Sequence, residues 1–364
     1  MRVLMLSKAC LVGIYQSKLE AIARAGVDLL TLVPPSWQDE RGTQQLERSH
    51  MEGYQLRAIP IRFNGNFHLH HYPSLWTEMR AFQPQIVHID EEPYNLATWQ
   101  ALWLARRLGA QALFFSWQNI LRHYPPPFSW GEGWTLRSAD YALAGTDDAA
   151  GVLRAKSYRG RLAVIPQFGT SAQLFRPPES ISARPFTIGF IGRLVPEKGI
   201  HILLRAAAQL AGEWRLRIIG GGTESAALGK LADELGIRER VTFSGQLPSS
   251  DLPAEYHQLD VLTLPSLTRG NWKEQFGRVL VEAMASDLPV IGSDSGAIPG
   301  VVGDAGIIVP EGDIHALASA LQQVRDQPDL REELREKGRA RFLSQFTDER
   351  IAAATVAVYR EMLA

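Results

Sequence analysis

Short apolar runs alternate with longer segments of helical period almost from one end of this chain to the other. No other feature narrows the fold as far. Strands separated by helix-length connections run parallel, and a parallel sheet needs helices on both faces. The runs that read as strands in the first half are VLMLS (3–7), VDLLTLV (27–33), YQLRAIPI (54–61), QIVHI (85–89), ALFFS (112–116), YALAG (141–145) and LAVIP (162–166). In the second half they are FTIGFIG (186–192), RLRIIG (215–220), VTFSG (241–245), DVLTLP (260–265), PVIG (289–292) and GIIV (306–309). Helical patterns lie between them, among them 94–108, 198–211, 224–235, 278–286 and 313–325. Thirteen strands exceed one comfortable doubly wound sheet, and 364 residues suffice for two domains with full cores. The division falls in FRPPESISARP (175–185), where three prolines and two serines interrupt the alternation before it restarts. The expected architecture is therefore α/β, with two Rossmann-like doubly wound domains at 1–178 and 185–347 and a helical tail at 348–364.

Composition excludes several classes. The 38 basic and 39 acidic side chains give a net charge of −1, which argues against a nucleic-acid partner. Cys10 is the single cysteine, so no internal disulfide forms and a reducing cytoplasm suits the chain. No run approaches the roughly 20 apolar residues of a membrane-spanning helix, which leaves only peripheral membrane contact. The opening MRVLMLSK has too short an apolar part before Lys8 for a secretion signal, and reads as a buried first strand.

Ligands of doubly wound domains bind outside the carboxyl ends of the strands. Three segments of the second half place unusual residues there. FIGRLVPEKGIHILLRAA (190–207) carries Gly192, Arg193 and Lys198 on the loop after a strand. RIIGGGTES (217–225) sets Gly220, Gly221 and Gly222 before a helix, where backbone N–H groups can approach an anion; the same glycines also suit a tight turn. EQFGRVLVE (274–282) puts two carboxylates eight positions apart around an apolar run. A helix starting near Gly277 leaves Glu274 in the preceding loop and Glu282 in the second turn, with the N–H groups of Gln275, Phe276 and Gly277 at the helix end. At about 1.5 Å of rise per residue the carboxylates lie on the order of 10 Å apart. That span matches the two hydroxyl-bearing rings of a nucleotide sugar. Carboxylates accept from vicinal hydroxyls, and Arg193 and Lys198 can neutralise the diphosphate between.

GRLVPEKG (192–199), the IGGG turn (219–222), the E-x7-E spacing (274–282) and GDAGIIVPEGD (303–313) resemble, in that order, the retaining glycosyltransferases of family 4. The resemblance spans roughly 186–325 and extends to VIPQFGTSAQLF (164–175). It implies the GT-B fold, with two domains facing across a cleft and the tail 348–364 packing back on the first. It also implies that Glu274 contacts the donor sugar hydroxyls and that Gln275, Phe276 and Gly277 help hold sugar and phosphate. Glu282 would hold the ribose. Gly192, Gly221 and Gly222 would line the donor site, while Arg193 and Lys198 bind the diphosphate and stabilise the leaving group. Arg193, Lys198 and Glu274 are thus the expected catalytic residues, with retention by front-face attack and with neither metal nor cofactor.

In that arrangement the first domain supplies the acceptor site, and here the chain departs from the family pattern. SKACLVGIYQSK (7–18) has the lone Gly13 where a glycine pair is frequent. After ALFFS, WQNI puts Gln118 or Asn119 where many relatives carry a histidine; Gln118 can hydrogen-bond a hydroxyl but cannot carry a proton. His123, five residues on, is a further candidate. HIDEE (88–92) reads either as a buried His88 with acids capping the next helix, or as acceptor contacts through Asp90 and Glu91. No second His or Cys cluster accompanies it to make a metal site. Cys10 reads as a small packed residue. The aromatic, proline-stiffened WQNILRHYPPPFSWGEGW (117–134) suits stacking on sugar rings, a lipid interface, or cover for the core. Gly300 stands where relatives often carry glutamate.

The expectation is a cytoplasmic, metal-independent retaining hexosyltransferase, peripheral at the inner membrane face. It would use a UDP- or GDP-linked sugar and a hydroxyl acceptor on a glycan or lipid-linked intermediate of cell-surface polysaccharide synthesis. A nucleotide-sugar epimerase of the same architecture and an inactive nucleotide-sugar-binding subunit are the alternatives. No GxGxxG follows either domain's first strand, which argues against a nicotinamide enzyme.

Overall fold

The computed structural model describes residues 1–39, 42–179, 184–248 and 251–364. The chain divides into two units, Met1–Gly169 with Asp348–Ala364, and Thr170–Thr347. All thirteen expected runs form strands, and each unit gathers its share into one parallel sheet.

In the first unit the spatial order is Gln55–Ala58, Asp28–Val33, Arg2–Leu6, Ile86–Ile89, Gln111–Ser116, Tyr141–Ala144 and Arg161–Val164. Side chains alternate across a strand, and both faces of this sheet are covered, so its interior strands are buried on both sides while the edge strands Gln55–Ala58 and Arg161–Val164 keep exposed positions. Leu4 and Leu6 point to one core with Leu75, Met79, Ala101 and Leu136 of the helices Leu75–Phe82, Leu96–Leu108 and Phe128–Ser138. Val3 and Met5 point to the other, with Leu19 and Ile22 of Ser17–Arg24 and with Ile351, Val356 and Tyr359 of Asp348–Leu363.

The first unit ends at Gly169, ahead of the expected boundary at 178. Phe175 is buried edge-on to Tyr256 at 5.8 Å between ring centroids, and the Thr170 N–H donates to the Phe346 carbonyl at 2.9 Å. Those contacts draw 170–178 into the second unit. Residues 180–183 of the proline-rich stretch lie outside the described residues.

The second unit orders its strands Val241–Gly245, Trp214–Ile219, Phe186–Ile191, Val261–Leu264, Val290–Ser293 and Ile307–Val309. In both sheets the first strand in sequence sits in the interior and the chain winds outward from it in both directions. The switch point in the second unit therefore lies between Phe186–Ile191 and Val261–Leu264, where an open parallel sheet binds its ligand. One element had no sequence signal: the antiparallel pair Ser36–Asp39 and Gly42–Gln45, whose residues are mostly polar. Among the described residues no helix is long and apolar enough to cross a membrane.

Candidate active site

Three strand ends of the second unit converge on Glu274. After Phe186–Ile191 the short turn Pro196–Lys198 brings the Lys198 ammonium to the Glu274 carboxylate, Nζ to Oε2 at 2.5 Å. After Val261–Leu264, the Ser266 hydroxyl donates to the same oxygen at 2.8 Å. After Val290–Ser293, Gly296 and Ala297 hold the Glu274 backbone, and the Ala297 N–H donates to its carbonyl at 3.1 Å. Gly296 has φ 52°, and a Cβ there would stand 2.2 Å from the Glu274 carbonyl oxygen, so only glycine fits. Lys198 also lies 5.2 Å from the centroid of Trp272. Glu274 is 7 % exposed. A buried carboxylate needs such partners, and here they also set its orientation.

The helix Arg278–Ala285 starts after Gly277, whose φ of 78° turns the chain into it. Leu280 and Val281 are buried, and Glu282 is buried beside them. The Tyr256 hydroxyl donates to Glu282 Oε2 and the Arg278 guanidinium to Oε1, both at 2.8 Å. Glu282 thus sits against two protein donors, because the apolar run carries its side of the helix inward. Arg193 is 56 % exposed at its side chain and pairs loosely with Glu197 at 3.9 Å.

The glycine turn has a packing role. The Gly192 N–H donates to the Ile219 carbonyl and the Leu194 N–H to the Gly221 carbonyl, both at 2.9 Å. A Cβ on Gly222 would stand 2.2 Å from the Leu194 carbonyl oxygen. The tight-turn reading is the one these contacts realise, while Gly221 and Gly222 stay exposed. Gln275 is exposed and Phe276 stands edge-on to Phe346 at 6.0 Å. Sequence reasoning missed Ser266, Trp272, Tyr256, Arg278 and Gly296. It missed Glu311 too, which accepts from both the N–H and the hydroxyl of Thr268 at 2.5 Å and so braces the loop before Glu274.

The strand ends of the first unit are knit together more tightly than expected. The Gly13 N–H donates to Glu47 Oε2 at 2.7 Å, and Ser49 Oγ fills the space where a Cβ would be. Asp90 and Glu91 are each 4 % exposed and do not cap the next helix. Ser7 Oγ donates to Asp90 at 2.5 Å, and Lys8 Nζ donates to Glu91 at 2.8 Å. Lys8 itself sits 4.6 Å from the ring of Phe67 and 5.0 Å from that of Trp37. Burial opposes ionisation of Glu91, but Lys8 and then His70 outweigh it and hold the carboxyl down to about 2. These contacts tie the acids to the neighbouring strand end. His88 is buried, donates to or accepts from the Tyr359 hydroxyl at 2.6 Å, and is kept neutral chiefly by burial. Burial pushes the Cys10 thiol up to about 12, so it packs as a thiol.

Gln118 and Asn119 are buried, whereas His123 is exposed on its loop. Gln118 Oε1 accepts from Lys156 Nζ at 2.8 Å, and Lys156 pairs with Glu132 at 2.6 Å. Neither Lys156 nor Glu132 stood out in the sequence. Much of the 117–134 segment packs on itself and its neighbours. Tyr124 lies 4.5 Å from Tyr94, and Phe128 lies 5.1 Å from His68, ring to ring. Among the described residues no group of three or more His, Cys, Asp or Glu is placed to hold a metal ion.

Glu92 accepts from Ser116 Oγ and from the Trp117 N–H, each at 2.7 Å, yet burial pushes its carboxyl up to about 7. A raised carboxyl pKa means that the native state keeps its proton after the unfolded chain has lost its own. The stability this group contributes is therefore complete below the ordinary glutamate range and is lost as pH rises through 7. Glu92→Gln is expected to flatten the fall in melting temperature between pH 5 and pH 8. An unchanged slope in the variant would contradict the assignment.

The pattern described as Glycosyl transferases group 1 matches residues 172–341, and that described as Glycosyl transferase 4-like domain matches residues 15–167. With two parallel sheets and a charged cluster at the switch point of the second, the chain carries both glycosyl transferase patterns in order, one in each unit. The chain belongs to the group 1 glycosyl transferases. It is similar to D-inositol 3-phosphate glycosyltransferase of Mycobacterium marinum, 32 % identical over 257 residues, or 66 % of this chain and 54 % of that one. The MMP alpha-(1->4)-mannosyltransferase of Mycolicibacterium hassiacum is 34 % identical over 209 residues, 56 % of this chain and 49 % of that one. The chain spans about half the length of these curated relatives. Among solved structures, sucrose-phosphate synthase from Thermosynechococcus elongatus superposes with a TM-score of 0.75 at 21 % identity, over 100 % of this chain and 99 % of that one. Anabaena HepE in complex with UDP gives 0.76 at 19 %, over 99 % and 100 %. Both share the GT-B fold.

Proposed function

We propose that the chain is a retaining, metal-independent hexosyltransferase of family 4 that moves a hexose from a UDP- or GDP-linked sugar to a hydroxyl acceptor. The observation that carries this reading is the Lys198–Ser266–Glu274 cluster at the switch point. An ammonium has three N–H donors and a carboxylate about four lone-pair sites. Lys198 can hold Glu274 and a diphosphate oxygen together, so that the pair registers the sugar against its phosphate. Glu274 then accepts from the sugar hydroxyls, Arg193 reaches the diphosphate from its exposed loop, and Glu282 meets the ribose from the next turn of the helix. In the reaction the bond from the anomeric carbon to phosphate oxygen breaks. The acceptor oxygen bonds to that carbon on the same face, and its proton passes to the departing phosphate. Lys198 and Arg193 stabilise the negative charge that develops there.

HepE has been solved with UDP and with UDP-glucose, which supports a nucleotide-sugar donor by likeness of fold. The acceptor, on the same footing, is a glycan or lipid-linked intermediate of cell-surface polysaccharide synthesis, met in the cytoplasm at the membrane face. Thermal unfolding with UDP, GDP, ADP and dTDP, beside Glu282→Gln, tests the donor site. A nucleotide at about 100 times its dissociation constant adds about 2.7 kcal/mol, a shift of a few degrees. One nucleotide should shift the wild type and lose much of its effect in the variant. No shift with any of the four removes the donor assignment.

A further inference from the structure

Glu311 joins three strand ends of the second unit. It follows the edge strand Ile307–Val309 and reaches Thr268, in the loop after Val261–Leu264, across the end of Val290–Ser293 that lies between. Glu311 Oε2 accepts from the Thr268 N–H and Oε1 from its hydroxyl, while the Glu311 N–H donates to Asp294 Oδ1 at 2.8 Å. The Thr268 hydroxyl has one proton, and Glu311 takes it. The Ser295 hydroxyl, 3.1 Å from Thr268 Oγ1, is therefore the donor of that pair. Ser295 is buried and stands next to Gly296, the glycine packed on the Glu274 carbonyl.

Thr268 connects to Lys198 by two short routes. The Leu267 N–H donates to the Glu197 carbonyl at 2.7 Å, one residue before Lys198. On the other side Arg269 and Trp272 exchange backbone N–H···O bonds at 2.7 and 3.2 Å. They close a tight hairpin that brings the Trp272 ring to 5.2 Å from the Lys198 ammonium. Gly199 leaves room for this approach, since a Cβ there would run into the Pro265 carbonyl oxygen. The segment 265–272 thus lies along the turn that carries Lys198. Thr268 itself is exposed, which leaves little burial to fix it besides these hydrogen bonds.

We propose that Glu311 is a positioning residue of the transfer reaction: through Thr268 it sets where Lys198 meets the departing diphosphate. The proposal rests on the role given to Lys198 above. Glu311 acts without touching substrate. Its carboxylate serves as a two-point hydrogen-bond acceptor, so the geometry matters and the charge does not. An amide can keep both points, its oxygen accepting from the Thr268 N–H and its nitrogen donating to a Thr268 hydroxyl turned towards Ser295.

Glu311→Ala and Thr268→Val are expected to lower kcat about tenfold, since a misplacement of about 1 Å costs that much or more. The donor KM should stay within about twofold of wild type, because the contact that suffers forms fully only in the transition state. Glu311→Gln and Thr268→Ser should restore most of the turnover. The double variant Glu311→Ala/Thr268→Val should be no slower than the slower single one, since both remove the same link. All are assayed well below their melting temperatures, so that lost stability does not register as lost rate. The link is also read without activity, by fluorine NMR of the full chain carrying 5-fluorotryptophan. The resonance that Trp272→Phe removes should move in Glu311→Ala and return in Glu311→Gln. A Trp272 resonance indifferent to Glu311→Ala overturns the proposal, as does wild-type kcat in that variant. So does a Glu311→Gln enzyme as slow as Glu311→Ala, which would make the charge itself the active agent. A wild-type chain inactive with every UDP- and GDP-linked hexose is instead the failure of the transferase reading, and the resonance then still decides whether Glu311 holds the hairpin.

Discussion

Lys198→Ala is expected to lower turnover by about tenfold or more, and Arg193→Ala to do the same with a different effect on stability. A charge-assisted contact to the diphosphate contributes about 1.5–3 kcal/mol, and a tenfold loss of rate needs only about 1.4 kcal/mol. The two variants differ in what else they break. Lys198 is the counter-charge of Glu274, whose side chain is 9 % exposed, so its loss leaves a buried carboxylate with one donor fewer and lowers the melting temperature. Arg193 is more than half exposed and its pair with Glu197 is long, so its loss leaves the melting temperature unchanged. Lowered turnover in Arg193→Ala at unchanged stability is thus the cleaner evidence for a diphosphate contact. Both variants would be assayed at saturating nucleotide sugar. Near-normal turnover in both would end the assignment of these residues to the leaving group.

Lys156→Met is expected to destabilise the first unit by about 3–5 kcal/mol, the usual cost of leaving one member of a buried ion pair without the other. Lys156 and Glu132 pair at 2.6 Å, their side chains 5 % and 9 % exposed. The same ammonium donates to Gln118 Oε1. Because an ammonium only donates, it fixes which end of the Gln118 amide faces it, and so turns Nε2 the other way. The partner change Lys156→Met/Glu132→Leu should recover much of the loss, since it removes both buried charges and keeps their volume. Urea denaturation of the two variants measures this. A single variant within about 1 kcal/mol of wild type would mean that the pair is solvated and is no part of the core.

Much of this architecture was legible because burial on both faces leaves a parallel strand no polar side. DLLTLV and IVHI are buried almost throughout, and their positions follow from hydrophobic runs alone. The pair at Ser36–Asp39 was not legible, since a polar ribbon outside the main sheets has no apolar period to read. The partners of Gly13, Asp90 and Glu91 were not legible for a related reason. Their residue types fit an acceptor site, but Glu47, Ser7 and Lys8 take up their polar groups.

The sequence by itself determined the two-sheet α/β organisation and the order of its strands' chemistry, with Arg193, Lys198 and Glu274 in loops that follow strands. Only the tertiary structure decided that Lys198 reaches Glu274 from 76 positions away, that Gly296 must be a glycine, and that Glu282 turns to Tyr256. The physical reason is one of range. Periodic burial is written into neighbouring residues, whereas a hydrogen bond or a forbidden Cβ depends on which distant strand end the sheet brings alongside.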